Sequence, residues 1–458
     1  MGFEGEFASY EPLRRILDSK KINELQGRMR LQSTEPFFET IKSSLIHKSD
    51  LPKSGNIPPD LVLAIDGSHL EGHPEKGFPG AEYGYVTIAA VLIDLKLISQ
   101  LEKEDIIDPK LFRKTETPAT QESCFPGCNI TLDNDKDAKA SLRKAIFEDF
   151  QSSKSLKEAE TILETYEHLL KMKIDHFPEA KKPDCPIEGF EENDMEYGYG
   201  EYVCPYSGEP LYSTDALRLH ELMNPSGTNG ELFGQIMLTL EKLWFINLLR
   251  YFEQKNLLST LRRIAFIIDG PLAVFSTSSW LTKVIETELW RINEVQKPIN
   301  GQDMMIIGIE KSGVFFNHFR DIDTSKEGIP DVFPNQSALL LTDEYIKKNI
   351  IFSESTKPYG QDTYFGRKFF YKAASGQRIV PVITWYNKYQ KSILTAEPEQ
   401  FSRLTDVMTL LDIIVSNRYP NSLSPLISAH AEAAIPLNIG TRLFEDIARE
   451  IKEKSENG

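Results

Sequence analysis

The stretch Leu61–Ser68, LVLAIDGS, sets five apolar residues in a row, ends them on Asp66 and turns at once through Gly67 and Ser68. A short unbroken apolar run bounded by turn residues reads as a strand buried on both faces. The pattern recurs far downstream at Ile264–Pro271, IAFIIDGP, where Asp269 closes the run and Gly270-Pro271 makes the turn. Each aspartate is therefore expected at the end of a buried strand, where open α/β sheets place the groups that bind ligands. For either one alone, the competing reading is that Asp-Gly simply opens a turn. Two carboxylates in the same strand-end context can share a cation.

Outward from these runs the chain reads as mixed α/β, with buried strands interleaved by helices. YGYVTIAAVLIDL from Tyr83 is a second rich strand signal, and the turn-laden HLEGHPEKGFPG between it and the first run makes a hairpin plausible. Residues 1–55 form an N-terminal segment whose YEPLRRILDSKKINELQGRMR carries apolar residues at helical spacing, closed by the Pro- and Gly-containing linker KSDLPKSGNIPPD. Residues 56–105 and 231–458 form the core. Residues 106–230 read as an insertion, with the helical segments SLRKAIFEDF and SLKEAETILETYEHLLKMKI and the acidic loop EGFEENDMEYGYGEYV. In the second part of the core, a long helix is expected from Glu231 to about Lys255 and another over 278–296. MMIIGIEKSG is a buried strand, LLLTDEYIKKNI a helix, and RKFFYKA and RIVPVITWY are two strands about a Ser-Gly turn. Two closing helices contain LTDVMTLLDIIVSN and GTRLFEDIAREIKEK.

At 458 residues the chain exceeds the size at which one core stops growing, and its 40% hydrophobic content supplies a core. The formal net charge of −16 argues against a free-standing nucleic-acid binder, which leans on Lys and Arg to neutralise phosphates. An acidic protein acting on nucleic acid needs a local basic groove, a cation between carboxylate and phosphate, or a partner that grips the duplex. No apolar run approaches the roughly 20 residues that span a bilayer, so no membrane segment is expected. The N-terminus lacks a secretory h-region, and a cytoplasmic location follows. The four cysteines, Cys124, Cys128, Cys185 and Cys204, include no CxxC pair.

A hard divalent cation takes several oxygen ligands, so a third carboxylate is expected beside Asp66 and Asp269. The helix before Asp269 offers Glu241 and Glu253. Glu241 has Met237, Leu238, Trp244 and Phe245 at its i±3 and i±4 positions, an apolar face on which an unpaired carboxylate is costly. Glu253 sits near the helix end beside Gln254 and Lys255. Glu241 is the preferred ligand, with a buried salt bridge as its alternative. Lys311 closes the strand MMIIGIE at the level of the aspartates, where an ammonium can meet a phosphate oxygen; a surface lysine is the plainer reading. His430, in ISAHAEAAIP, can act as general acid or base or contact a phosphate, against a hydrogen-bonded core histidine.

In order and context these residues resemble the NurA family of nucleases: LAIDGS, IIDGPL, a strand ending in IEKS, LLLTDEYI, the tyrosine-bearing FFYKA and a late SAHAEAAI helix, over about 60–448 without much of the insertion. The resemblance implies an RNase H-like core with a mixed central sheet flanked by helices, and a DNA nuclease using Mn2+ or Mg2+. It implies work with a hexameric HerA-type ATPase in DNA end processing or anti-phage defence, and a homodimer pairing with that ring. Carried over residue by residue, Asp66, Asp269 and Glu241 are the metal ligands and Lys311, Tyr371 and His430 the supporting catalytic groups. The stretch VCPYSGEPLYSTDALRLHE is similar to a zinc-ribbon-like segment of some bacterial relatives, but Ser207 stands where a second cysteine is expected. That leaves Cys185, Cys204 and His220 as an incomplete zinc set.

Two other classes compete: an inactive adaptor of the same fold that docks the translocase, and a phosphate-monoester or nucleotide hydrolase. Against the latter, the chain has no GxxxxGK[ST] loop and no DxDx[TV] run.

Overall fold

The two apolar runs lie side by side. In the computed structural model, which describes residues 11–29, 37–73, 80–96, 116–133, 135–323, 332–415 and 423–434, β2 (Leu61–Gly72) pairs in parallel with β7 (Ile264–Asp269). β7 pairs in parallel with β8 (Met305–Glu310), while β2 forms an antiparallel hairpin with β3 (Tyr83–Asp94), which pairs in turn with β4 (Glu116–Pro126). On the other side of β8 the sheet continues through β11 (Arg378–Thr384), β10 (Gly366–Lys372), β9 (Ser337–Leu340) and β1 (Ile46–His47), all antiparallel. The result is a nine-stranded sheet ordered β1-β9-β10-β11-β8-β7-β2-β3-β4. A small ribbon, β5 (Glu201–Val203) with β6 (Pro210–Tyr212), stands apart from it.

The chain divides into two compact units, 1–44 and 45–458. The first contains α1 (Glu11–Leu17), α2 (Lys20–Arg28), capped by the Ser19 side chain, and α3 (Phe37–Ser44). The second holds the sheet and its covering helices. Alternation along the strands sends Leu63, Ile65, Phe266, Ile268 and Ile306 to one face, and Val62, Ala64, Ala265, Ile267, Ile307 and Ile309 to the other. On the first face the core includes residues of α4 (Ala138–Ser152), α5 (Ile162–His176), α6 (Gly230–Gln254) and α7 (Leu281–Asn300). Further along the chain come α8 (Val314–Asp323), α9 (Asp343–Asn349) and the single turn α10 (Lys388–Lys391). On the second face α11 (Leu404–Ile414) and α12 (Ser424–Ala433) close the core.

The segment 106–230, read from sequence as an insertion, supplies β4 to the sheet and α4 and α5 to the first core. β4 went unread because ETPATQESCFP is polar and carries Pro118, which a strand tolerates at an edge. Helix α5 starts at Ile162, seven residues after the sequence reading placed it, because Thr161 and Glu164 form a capping box there. Helix α6 is long and apolar enough to cross a membrane by length and composition alone, although Glu241 and Lys242 interrupt its apolar residues. It is the core helix over the sheet, with 78% of its most apolar window buried. The expected helix GTRLFEDIAREIKEK lies outside the described residues.

Candidate metal and nuclease centre

β7 ends at Asp269 whereas β2 runs on to Gly72, so the sheet opens beside Asp66. In the parallel register Ile65 faces Ile268, which puts Asp66 and Asp269 next to each other where the pairing stops. Both project on the same face as Ala64 and Ile267, the face covered by α12. Glu241 comes from α6, in the opposite layer, and lies close enough to act electrostatically on both aspartates.

Each acid has a basic side chain beside it. Asp66 Oδ2 is 3.0 Å from His430 Nδ1, Asp269 Oδ1 is 3.0 Å from Lys311 Nζ, and the Glu241 carboxylate accepts from its neighbour Lys242. Asp66 and Glu241 are almost wholly buried, at 3% and 2% exposure. His430, on α12, is exposed on the far side of its bond to Asp66. Burial foremost, then the charges of Asp269 and Glu241, hold the Asp66 carboxyl far above the carboxylate range, at about 8. Burial likewise raises Glu241, with Lys242 opposing it. Neighbouring carboxyl groups that offer oxygens alone suit a hard divalent cation. The three acids do not bring one oxygen each within 4.8 Å of one another, so occupancy requires side-chain movement.

That proton has a thermodynamic consequence. A carboxyl whose folded pKa lies near 8 against an ordinary 3.8 keeps its proton in the folded chain after the unfolded chain has lost it. Stability is therefore undiminished below about pH 4 and falls as pH rises toward about 8. Without divalent ions, Tm is expected to drop between about pH 5 and about pH 8.5, and Asp66→Asn is expected to flatten that drop. Calorimetry at both pH values checks it; an unchanged slope in the variant refutes the assignment.

The other sequence-selected residues separate. Glu253 is held by both terminal nitrogens of Arg291, at 2.8 and 2.6 Å, about 18 Å along α6 from Glu241. Tyr371 is not at the centre: it lies on β10, three strands from β7, fully buried, and donates to Asp412 Oδ1 at 2.8 Å. Asp412 also binds Lys48, Gln336 and the Ala374 amide, so Tyr371 belongs to a structural network. The Cys185 and Cys204 sulfurs are 3.8 Å apart, but His220 faces Asp215 at 4.0 Å. Among the described residues no third histidine, cysteine or acid joins the sulfurs within 4.8 Å.

Two residues beside the centre were missed. A cleft of about 450 Å³ is lined by Asp269, Lys311, Glu310, Tyr359, Tyr364 and Lys368 among others. In it Lys368 Nζ lies 2.5 Å from Glu310 and 2.8 Å from Tyr364 Oη, and burial lowers the ammonium to about 8. Glu310 precedes Lys311 and Lys368 lies three before Tyr371, so strand alternation was the available signal: both face the layer that holds α6.

The family profile of the NurA domain matches residues 60–435. The chain belongs to the NurA family. NurA is a family of nucleases, and the match spans both strand-end aspartates, Glu241, Lys311 and His430. Among solved structures, the NurA nuclease from Sulfolobus solfataricus is 11% identical over 97% of each chain, with a TM-score of 0.34. A structure of NurA with manganese is 10% identical over 93% of this chain and 95% of that one, with a TM-score of 0.24. No curated protein matches the chain.

Proposed function

We propose that this NurA chain is a divalent-metal-dependent deoxyribonuclease centred on Asp66, Asp269 and Glu241. The observation that carries the reading is that Asp66 and Asp269 lie next to each other where the β2–β7 pairing stops, with Glu241 near enough that its charge and that of Asp269, after burial, hold the Asp66 proton in place. Mn2+ or Mg2+ fits this oxygen donor set, and the solved NurA structure with manganese agrees with that choice. When bound, such an ion lowers the pKa of the attacking water and offsets charge on the phosphate. Asp66 and Asp269 hold the ion, Glu241 orients a ligand or water, and Lys311 presents its ammonium to a phosphate oxygen. His430, with its ring at the edge of the cluster, holds or delivers a proton at Nδ1.

The strand order β4-β3-β2-β7-β8, an antiparallel three-strand meander followed by two parallel strands, supports an RNase H-like core. In that reading 56–105 and 231–458 make the nuclease core and 106–230 elaborates it. The net charge of −16 leaves duplex affinity to be supplied elsewhere, which favours work with a hexameric HerA-type ATPase, the nuclease acting as a homodimer on the ring. DNA end processing and anti-phage defence are the roles this assembly serves.

An end-labelled DNA duplex incubated with the chain and Mn2+, alone and with the partner ATPase, tests the reading. Cleavage that EDTA abolishes is expected, with no release from nitrophenyl phosphate. No cleavage in either mixture overturns it in favour of a docking adaptor, and nitrophenyl phosphate hydrolysis in favour of a phosphatase.

A further inference from the structure

A second group of metal-ligating side chains lies farther along β2, where the strand ends. The β2–β3 ladder ends at the Gly72–Tyr83 pair, and His73 and Glu82 are the first residues beyond it on the two strands. Together with Glu71 they bring one ligand atom each to within 4.8 Å of one another, which the three acids of the nuclease centre do not. Strand geometry puts Glu71 about 16 Å beyond Asp66 and on the opposite face, so the two groups are separate.

The decisive residue is Glu82. It is 1% exposed, and its Oε2 accepts from both the backbone N and the side-chain Nδ2 of Asn229, at 2.8 and 2.7 Å. Its Oε1 is buried with no hydrogen-bond partner at all. A buried carboxylate oxygen left bare is costly, and an oxygen held by an orienting donor beside one that is free is how ligating carboxylates are arranged. Asn229 is the residue immediately before α6, and the first helical residue, Gly230, lies against the Glu71 carboxylate. The site is thus walled by the hairpin mouth and the start of the helix. Among the described residues neither Glu71 nor Glu82 pairs with a lysine or arginine, and the helix terminus offers only about half a positive charge to two carboxylates.

We propose that Glu71, His73 and Glu82 bind a first-row divalent cation, independent of the catalytic ion. Two carboxylates and one imidazole select an ion that accepts both oxygen and nitrogen, such as Mn2+ or Zn2+, over Mg2+ or Ca2+. The bound ion ties the hairpin mouth to the first turn of α6, the helix that carries Glu241.

Mn2+ titrated into the full chain and followed by electron paramagnetic resonance tests this. In Asp66→Ala/Asp269→Ala, where the nuclease acids are removed, one equivalent of Mn2+ is expected to remain bound with nitrogen hyperfine coupling from the imidazole. Adding His73→Ala, at an exposed position, or Glu82→Gln is expected to weaken that binding at least tenfold and erase the nitrogen signal. In the otherwise unaltered chain, His73→Ala is expected to lower the bound Mn2+ by one equivalent, a count that does not depend on how the nuclease acids behave. Binding and nitrogen coupling unchanged by His73→Ala and Glu82→Gln overturn the proposal, as does the absence of a bound equivalent that His73→Ala removes.

Discussion

Asp66→Ala is expected to reduce metal-dependent DNA cleavage by on the order of a thousandfold, because on the proposed function the substitution removes an ion ligand from the centre of the acid cluster. The same substitution is expected to leave the fold intact, and to raise rather than lower Tm near pH 8 when no divalent ion is present. The reason lies in the same carboxyl: burial and the neighbouring acids hold it at about 8, so the folded chain carries an electrostatic cost there that alanine abolishes. Loss of rate together with a stabilised metal-free protein separates a functional acid from a structural one, since a structural ion pair would lose stability on truncation. Single-turnover cleavage and calorimetry on one preparation check both halves. A rate within about tenfold of the parent chain would remove Asp66 from the mechanism.

The second large effect concerns folding. Arg143 on α4 and Asp215 are both buried, and Asp215 receives the Arg143 Nε at 2.8 Å and Nη2 at 2.6 Å while also accepting the Tyr212 amide at 2.9 Å. Arg143 donates further to the Pro210 carbonyl at 3.0 Å and lies 5.6 Å from the centre of the Tyr212 ring. Removing one partner leaves a buried charge with nothing to meet it, so Asp215→Ala is expected to cost about 3–5 kcal/mol. The joint replacement Arg143→Met/Asp215→Leu should recover much of the loss, because two apolar side chains leave no orphan charge. Urea unfolding followed by tryptophan fluorescence measures it, and a single-variant loss under about 1 kcal/mol contradicts the account.

The parts of the molecule that were legible in sequence are those where one physical demand dominates. β2 and β7 are apolar on both faces because helices cover both, so a continuous run betrays them. The β10–β11 hairpin was visible through its Ser-Gly turn, where Gly376 takes a φ of 84°. β4 was opaque for the converse reason: as an edge strand it needs neither apolar faces nor a full set of amide donors, and ETPATQESCFP has the polar look of a loop. In the centre, the apolar neighbours of Glu241 pointed to a buried carboxylate, but nothing flagged Lys242, whose ammonium meets it from the next position in the chain. Tyr371 was drawn in by a family motif; its hydroxyl is committed to Asp412 on the α11 helix. Glu310 and Lys368 carry no such signal, and only the fold brings them together in the cleft beside Asp269 and Lys311.

Each acid lies against a basic side chain, Asp66 against His430, Asp269 against Lys311 and Glu241 against Lys242. A divalent ion held by Asp269 would compete with Lys311 for that carboxylate and would leave its ammonium to the cleft that it lines. On the proposed function, cation and polyanion would then favour each other's binding, and by thermodynamic reciprocity DNA would tighten the ion by the same factor as the ion tightens DNA.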